Sequence, residues 1–282
     1  MIFWIASYPK SGNTWLRALL ASYYFTNDGS FNLKILDKID AFPSNKYFKD
    51  YKNKFLNPED TSKYWLKEQE KINQKNKITL LKTHSAICKI NGNSFTSKEN
   101  SLGGVYIVRD PRNVITSLSN HYQISIEEAF QFMKDKKRAI VDRKDSRYLG
   151  FQAIWSWSIN QKSWVENNLF PTLVIRYEDL INETYNTFKK VIEFVNKISN
   201  SSETFDKSKC KNSIVNTSFE KLQKMESNYG FAEAINKKGT DEKIKFFYLG
   251  QKNNYKNLLS EELVQEMSEY YKEELIKFNY EK

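Results

Sequence analysis

The chain has 282 residues, 40% apolar and 28% charged, enough to bury a sizeable core and too apolar for a disordered polyelectrolyte. Its net charge of +10 rests on 37 lysines and 7 arginines, a general field for anions; bidentate base reading favours arginine and no arginine cluster stands out, so nucleic-acid reading is not expected. No apolar run approaches the roughly 20 residues that span a bilayer, and Cys88 and Cys210 stand alone without metal-ligand spacing, so a cytoplasmic chain with reduced thiols, no transmembrane segment and no metal is expected.

The apolar run Ile2 to Ala6 predicts a buried strand. Ser7 to Asn13, with Pro9 and Gly12, reads as a loop. From Thr14 the spacing of Leu16, Leu19, Leu20, Tyr23 and Tyr24 predicts a helix with one apolar face. Residues 27–77 are polar and lysine-rich, and short helices and loops are expected. Ile78 to Leu81 predicts a second strand ending in Lys82-Thr83-His84, and Val105 to Val108 a third ending in Arg109-Asp110-Pro111. Asp110 suits a helix cap with Pro111 at the first position, in a helix to about Tyr122. Ser125 to Glu128 is a capping-box pattern. Residues 150–168 predict a Trp-rich helix, Thr172 to Ile175 a fourth strand, and Phe188, Val191, Ile192 and Val195 a helix after it. Residues 199–213 read as a Ser/Lys-rich linker, Glu220 to Asp241 as a polar lid, and the end of the chain as a helix from Ser260.

Apolar strands alternating with helices imply an α/β fold, a central parallel sheet flanked by helices, in one domain over 1–282. Ligands of such sheets gather at the carboxyl ends of the strands. Four strand ends here carry polar or charged clusters.

The first of these, Ser7-Tyr8-Pro9-Lys10-Ser11-Gly12-Asn13-Thr14-Trp15, joins a strand to a helix. Backbone N–H groups at a helix start attract an anion. Gly12 permits close approach, Lys10 adds a cation, and Ser11, Asn13 and Thr14 add donors. Trp15 offers a face for a base. The pattern is not a Walker A loop, because Lys10 precedes the glycine. A surface loop with a chance lysine is the other reading.

Residues 7–15 resemble the 5′-phosphosulfate loop of sulfotransferases that use 3′-phosphoadenosine 5′-phosphosulfate (PAPS), and are especially similar to prokaryotic, glycopeptide-type members. The resemblance implies a P-loop-like nucleotide-binding fold. Val105 to Val114 is similar to the family's 3′-phosphate motif and implies Arg109 and Ser117 as ligands. Lys82-Thr83-His84 stands where the resemblance places the acceptor base, with Lys82 near the sulfuryl oxygens. A structural histidine is the other reading of His84, and a structural role is favoured for His121. Tyr177 resembles the family tyrosine near adenine, with a core tyrosine as the alternative, and Thr217 and Phe219 resemble further adenine contacts, Phe219 opposite Trp15. Phe246 to Lys256 resembles the C-terminal phosphate loop, but Tyr248 and Leu249 stand where basic residues are usual. Gly250 and Lys252 are the remaining candidates there.

The implied reaction moves a sulfuryl group from PAPS to a hydroxyl or amine of a small-molecule or glycan acceptor and leaves 3′-phosphoadenosine 5′-phosphate (PAP). His84 would be the base, and Lys10 and Lys82 would stabilise charge, without a metal. Segments 27–77, 123–150 and 220–245 are expected to roof the acceptor. The rivals are a nucleotide-binding homologue with weak turnover, an ATP-dependent P-loop kinase, and a lysine-rich binder of acidic polymers.

Overall fold

The computed structural model describes residues 1–141 and 150–281. Five strands form one sheet: β1 (Ile2–Ser7), β2 (Asp40–Ala41), β3 (Thr79–Thr83), β4 (Ser101–Val108) and β5 (Thr172–Arg176). Their order is β2-β3-β1-β4-β5, and every pair is parallel. β1 lies in the centre, and all six of its residues are buried. Side chains alternate across a strand. Ile2, Trp4 and Ala6 therefore enter the core on one face, while Phe3 and Ile5 enter the core on the other. This two-sided burial is why the strand reads as an uninterrupted apolar run.

The helices used below are α1 (Asn13–Phe25), α2 (Trp65–Asn73), α3 (Pro111–Tyr122), α4 (Ile126–Lys134), α5 (Trp157–Val165), α6 (Tyr177–Asn182), α7 (Thr184–Ile198), α8 (Lys207–Asn216) and α9 (Phe219–Tyr229). α1, α7 and α8 cover one face together, through Leu16, Leu20, Phe188, Val191, Ile192 and Cys210. α2 and α5 cover the other, where Trp164 stacks on Tyr106 and donates to the Ser85 carbonyl at 2.9 Å. The loop after β1 leads to one half of the sheet and the loop after β4 to the other. Their divergence opens a crevice beside β1 at the carboxyl ends of the strands.

Asp110 caps α3 by accepting from the Arg112 N–H, and Ser125 closes a capping box with Glu128 on α4. Several expectations are corrected. β2 was not foreseen, because two residues carry no readable period. The segment before it and after it does hold short helical turns, with α2 as its one longer helix. The Trp-rich helix is shorter than 150–168: Trp155 has φ of 56°, a left-handed turn that keeps α5 from starting earlier, and Gln152–Ala153 pairs with Ala139–Ile140. The supposed linker 199–213 contains most of α8, capped by Asp206, with Cys210 fully buried. Half of the expected lid is α9, and 230–249 is irregular. The terminal helix starts at its Ser260 cap but breaks at Tyr271 into Glu261–Tyr270 and Lys272–Lys277. Of the expected acceptor roof, 142–149 lies outside the described residues.

Phe188 is fully buried between α7 and the sheet. Phe188→Ala should cost about 3–5 kcal/mol in chemical denaturation; a change near zero would contradict this packing.

Candidate active site

The loop between β1 and α1 is built around its glycine. Gly12 has φ of 98°, and a Cβ there would meet the Tyr177 ring at 2.3 Å. Both conditions require glycine. The Trp15 and Leu16 N–H groups donate to the Gly12 carbonyl at 3.1 and 3.2 Å. The N–H groups of Asn13 and Thr14 begin the helix and have no carbonyl one turn back to bond. Asn13 Nδ2 donates to the Ile5 carbonyl at 3.0 Å and to Ser7 Oγ at 3.3 Å. Its side chain thus ties the loop to β1 and leaves the backbone to face outward.

A cavity of about 430 Å³ opens above this loop. The loop supplies Lys10, Gly12, Asn13, Thr14 and Trp15; β3 supplies Lys82 and, just past its end, His84; the region after β4 supplies Arg109 and Ser117. Tyr177, Phe219 and Gly250 complete the far wall. These twelve sequence-predicted residues meet in one place. Three do not line it. The Ser11 side chain is buried behind the loop, Thr217 is fully buried and donates to the Ser213 carbonyl at 2.8 Å, and Lys252 is exposed outside.

Arg109 is 6% exposed and its guanidinium lies 4.3 Å from the Tyr177 ring centre. One nitrogen donates to the Lys10 carbonyl at 2.9 Å, while Nε is buried without a partner. Trp15 Nε1, on another residue that lines the cavity, is also buried and without a partner among the described residues. Buried donors are normally satisfied, so this group around one loop points to an anionic ligand. Trp15 meets Tyr177 edge-on at 6.2 Å. Gly250, at φ of 55°, admits the Phe219 ring, which lies 2.7 Å from where a Cβ would stand. Ser117 is held by Asn253, whose Nδ2 donates to Ser117 Oγ at 3.3 Å and to the Asn113 carbonyl at 2.8 Å.

His84 Nδ1 lies 2.8 Å from the Ser7 carbonyl. A carbonyl only accepts, so Nδ1 carries the proton and Nε2 presents a lone pair. Asn160 holds the residue in place by donating to the His84 carbonyl at 3.0 Å. Burial, then the charges of Lys82 and Lys10, push the imidazole down to about 3. Lys10 is pushed down to about 8 by burial and by Arg109 and Lys82. Its backbone is left-handed, φ 66°, which aims the side chain into the cavity, where the ammonium lies 4.0 Å from the Phe246 ring centre. Lys82 is lowered by burial, against the attraction of Glu233.

Three residues of the cavity wall, Glu233, Asn253 and His121, and Arg17 behind Glu233 escaped the sequence reading. Glu233 accepts from Arg17 at 2.6 Å and from Lys82 at 3.0 Å. Arg17 was legible in principle, one turn after Thr14 on the same helical face. Glu233 was not, because it lies in an irregular stretch. Asn253 rather than Lys252 reaches the cavity. His121, expected to be structural, stands in the cavity wall and is pushed down to about 3 by burial, Lys10 and Lys82. Among the described residues no group of three or more His, Cys, Asp or Glu side chains is placed to hold a metal, and no helix is long and apolar enough to cross a membrane.

The family model described as "Sulfotransferase domain" matches residues 2–279. Over 281 residues the chain is 26% identical to the flavonol 3-sulfotransferase of Flaveria bidentis, covering 96% of this chain and 80% of that protein. Among solved structures it is similar to retinol dehydratase in complex with androsterone and the inactive cofactor PAP, with a TM-score of 0.56, 15% identity, and coverage of 97% of this chain and 80% of that one. It is also similar to mouse sulfotransferase SULT7A1 complexed with PAP, with a TM-score of 0.56, 15% identity, and coverage of 97% and 83%.

Both imidazoles bind protons less well in the folded chain than in the unfolded one, where the value is near 6.5. Stability is then fully present above that value and lost as pH falls from about 6.5 towards 3. The melting temperature should therefore fall steadily between about pH 7 and 4, less so in His84→Gln; a flat profile would contradict the buried neutral rings.

Proposed function

The chain belongs to the sulfotransferase family, and from that premise we propose that its cavity binds PAPS and moves the sulfuryl group to an acceptor hydroxyl. The observation that carries the reading is the neutral His84, with Nδ1 bonded to the Ser7 carbonyl, beside the two ammonium groups of Lys10 and Lys82. Trp15 Nε1 and Arg109 Nε, without partners among the described residues and carried by residues that line the cavity, fit a nucleotide bearing several anionic groups.

The donor supplies an activated sulfuryl group, and the chain supplies position and charge. The N–H groups that open α1, with Thr14, hold the 5′-phosphate. Arg109 and Ser117, the latter fixed by Asn253, hold the 3′-phosphate. Tyr177, Trp15 and Phe219 surround the base. Tyr248 and Leu249 add no charge, so the 3′-phosphate rests chiefly on Arg109, and modest donor affinity is expected. Lys10 and Lys82 offset charge at the bridging and sulfuryl oxygens. Anions beside these lysines oppose what depresses His84 and raise its proton affinity. His84 Nε2 then takes the proton of the acceptor hydroxyl.

The acceptor class we infer is a small molecule or glycoconjugate with an accessible hydroxyl. Tyr122, Ile140, Phe246 and Phe247 give the cavity an aromatic and apolar lining, suited to a phenol or sugar ring. An amine would serve only when neutral. Cytoplasmic location remains part of this proposal.

His84→Ala should lower transfer from radiolabelled PAPS to a phenol panel by about 10²- to 10⁴-fold, with PAP binding retained. Equal turnover in the variant would remove His84 from the role and direct attention to His121.

A further inference from the structure

The cavity already holds a carboxylate of its own chain. Glu233, in the irregular stretch after α9, extends Oε1 to Arg17 at 2.6 Å. Oε2 accepts from Lys82 Nζ at 3.0 Å and from Thr14 Oγ1 at 3.3 Å. Two cations and a hydroxyl converge on one oxyanion, the donor set expected around a phosphate or sulfate. Thr14 opens α1 and Lys82 ends β3, so these donors belong to the wall that faces an incoming anion. Although burial opposes it, the charges of Lys82 and Arg17 hold Glu233 well below the usual carboxylate range.

The same stretch occupies the second lysine. The Phe246 ring lies 4.0 Å from Lys10 Nζ. Phe246 is held there by its own N–H, which donates to Glu226 of α9 at 2.6 Å, and by packing against Phe231 at 4.9 Å. Residues 231–247 thus engage both ammonium groups of the cavity, one through a carboxylate and one through a ring face.

We propose that this stretch is an internal occupant of the donor site, with Glu233 standing in for a donor anion at Thr14 and Lys82 until the donor displaces it. Displacement also draws Phe246 away from Lys10. The inference rests on the reading of the cavity as a PAPS site. It accounts for the gathering of Lys10, Lys82 and Arg17 at one wall, since like charges held together need a counter-charge. It makes donor affinity depend on the fraction of molecules in which the stretch is released, because the observed dissociation constant is the intrinsic one divided by that fraction.

Calorimetric titration of the full chain with PAP tests this in wild type, Glu233→Gln and Phe246→Leu. Glu233→Gln keeps the size and loses the charge; it should bind PAP about tenfold or more tightly than wild type, since the internal competitor is removed. Phe246→Leu changes no charge and should also bind more tightly, by about threefold, through loss of the cation–π contact. Stopped-flow measurement should place both gains in the association rate. A gain in Glu233→Gln alone would be simple removal of a nearby negative charge and would overturn the proposal. So would PAP binding equal to wild type, or weaker, in either variant. If wild type binds PAP and the variants do not gain, only this inference falls; if none of the three binds PAP, the donor reading falls with it.

Discussion

Three cations share one half-closed cavity, and their mutual repulsion and loss of water set the terms for everything around them. Lys10, Lys82 and Arg109 come from three different strand ends and line a single space. Burial lowers Lys10 to about 8 and holds His84 near 3. Such a cluster is costly unless anions complete it. The sheet makes the cluster unavoidable, because β3, β1 and β4 are adjacent and parallel and all end on the same side. The strand order gathers the charges, and the charges define what the cavity takes.

Several asparagine side chains in and behind the cavity wall fix the groups that face it. Asn13 spends its side chain on β1, so the loop presents backbone. Asn160 holds the His84 carbonyl and also accepts from the Tyr106 hydroxyl at 2.8 Å, linking the end of β3 to β4 and α5. Asn253 and the Tyr255 N–H, at 2.8 Å from Asn113 Oδ1, pin the C-terminal loop to α3. Each polar contact is buried or half-buried and directional. Rigid support of this kind suits catalysis by positioning.

Much of this was legible in the chain itself. The strands β1, β3, β4 and β5 announced themselves as apolar runs, and the caps at Asp110 and Ser125 by residue type. The loop at 7–15 and the charged strand ends pointed to the cavity before any contact was known. What escaped had weak local signals. β2 is two residues long, and α8 is a lysine-rich helix whose buried face rests largely on Cys210 and Ser213. Glu233 and Asn253 act only through contacts with residues far away in sequence, and no period or motif marks them. Thr217 and Lys252 were implied by resemblance alone. One caps α8 internally, and the other points outward beside the asparagine that reaches the cavity.

On the proposed function, the cavity recognises a nucleotide by its separated phosphates and needs no metal to do so. Calorimetric titration with PAP, ADP and ATP, each with and without magnesium, tests it most directly. PAP should bind with no dependence on magnesium and at least about tenfold more tightly than ADP, through the charge-assisted bonds of Arg109 to the 3′-phosphate. Tighter binding of ATP in the presence of magnesium, or no binding of PAP, would contradict it.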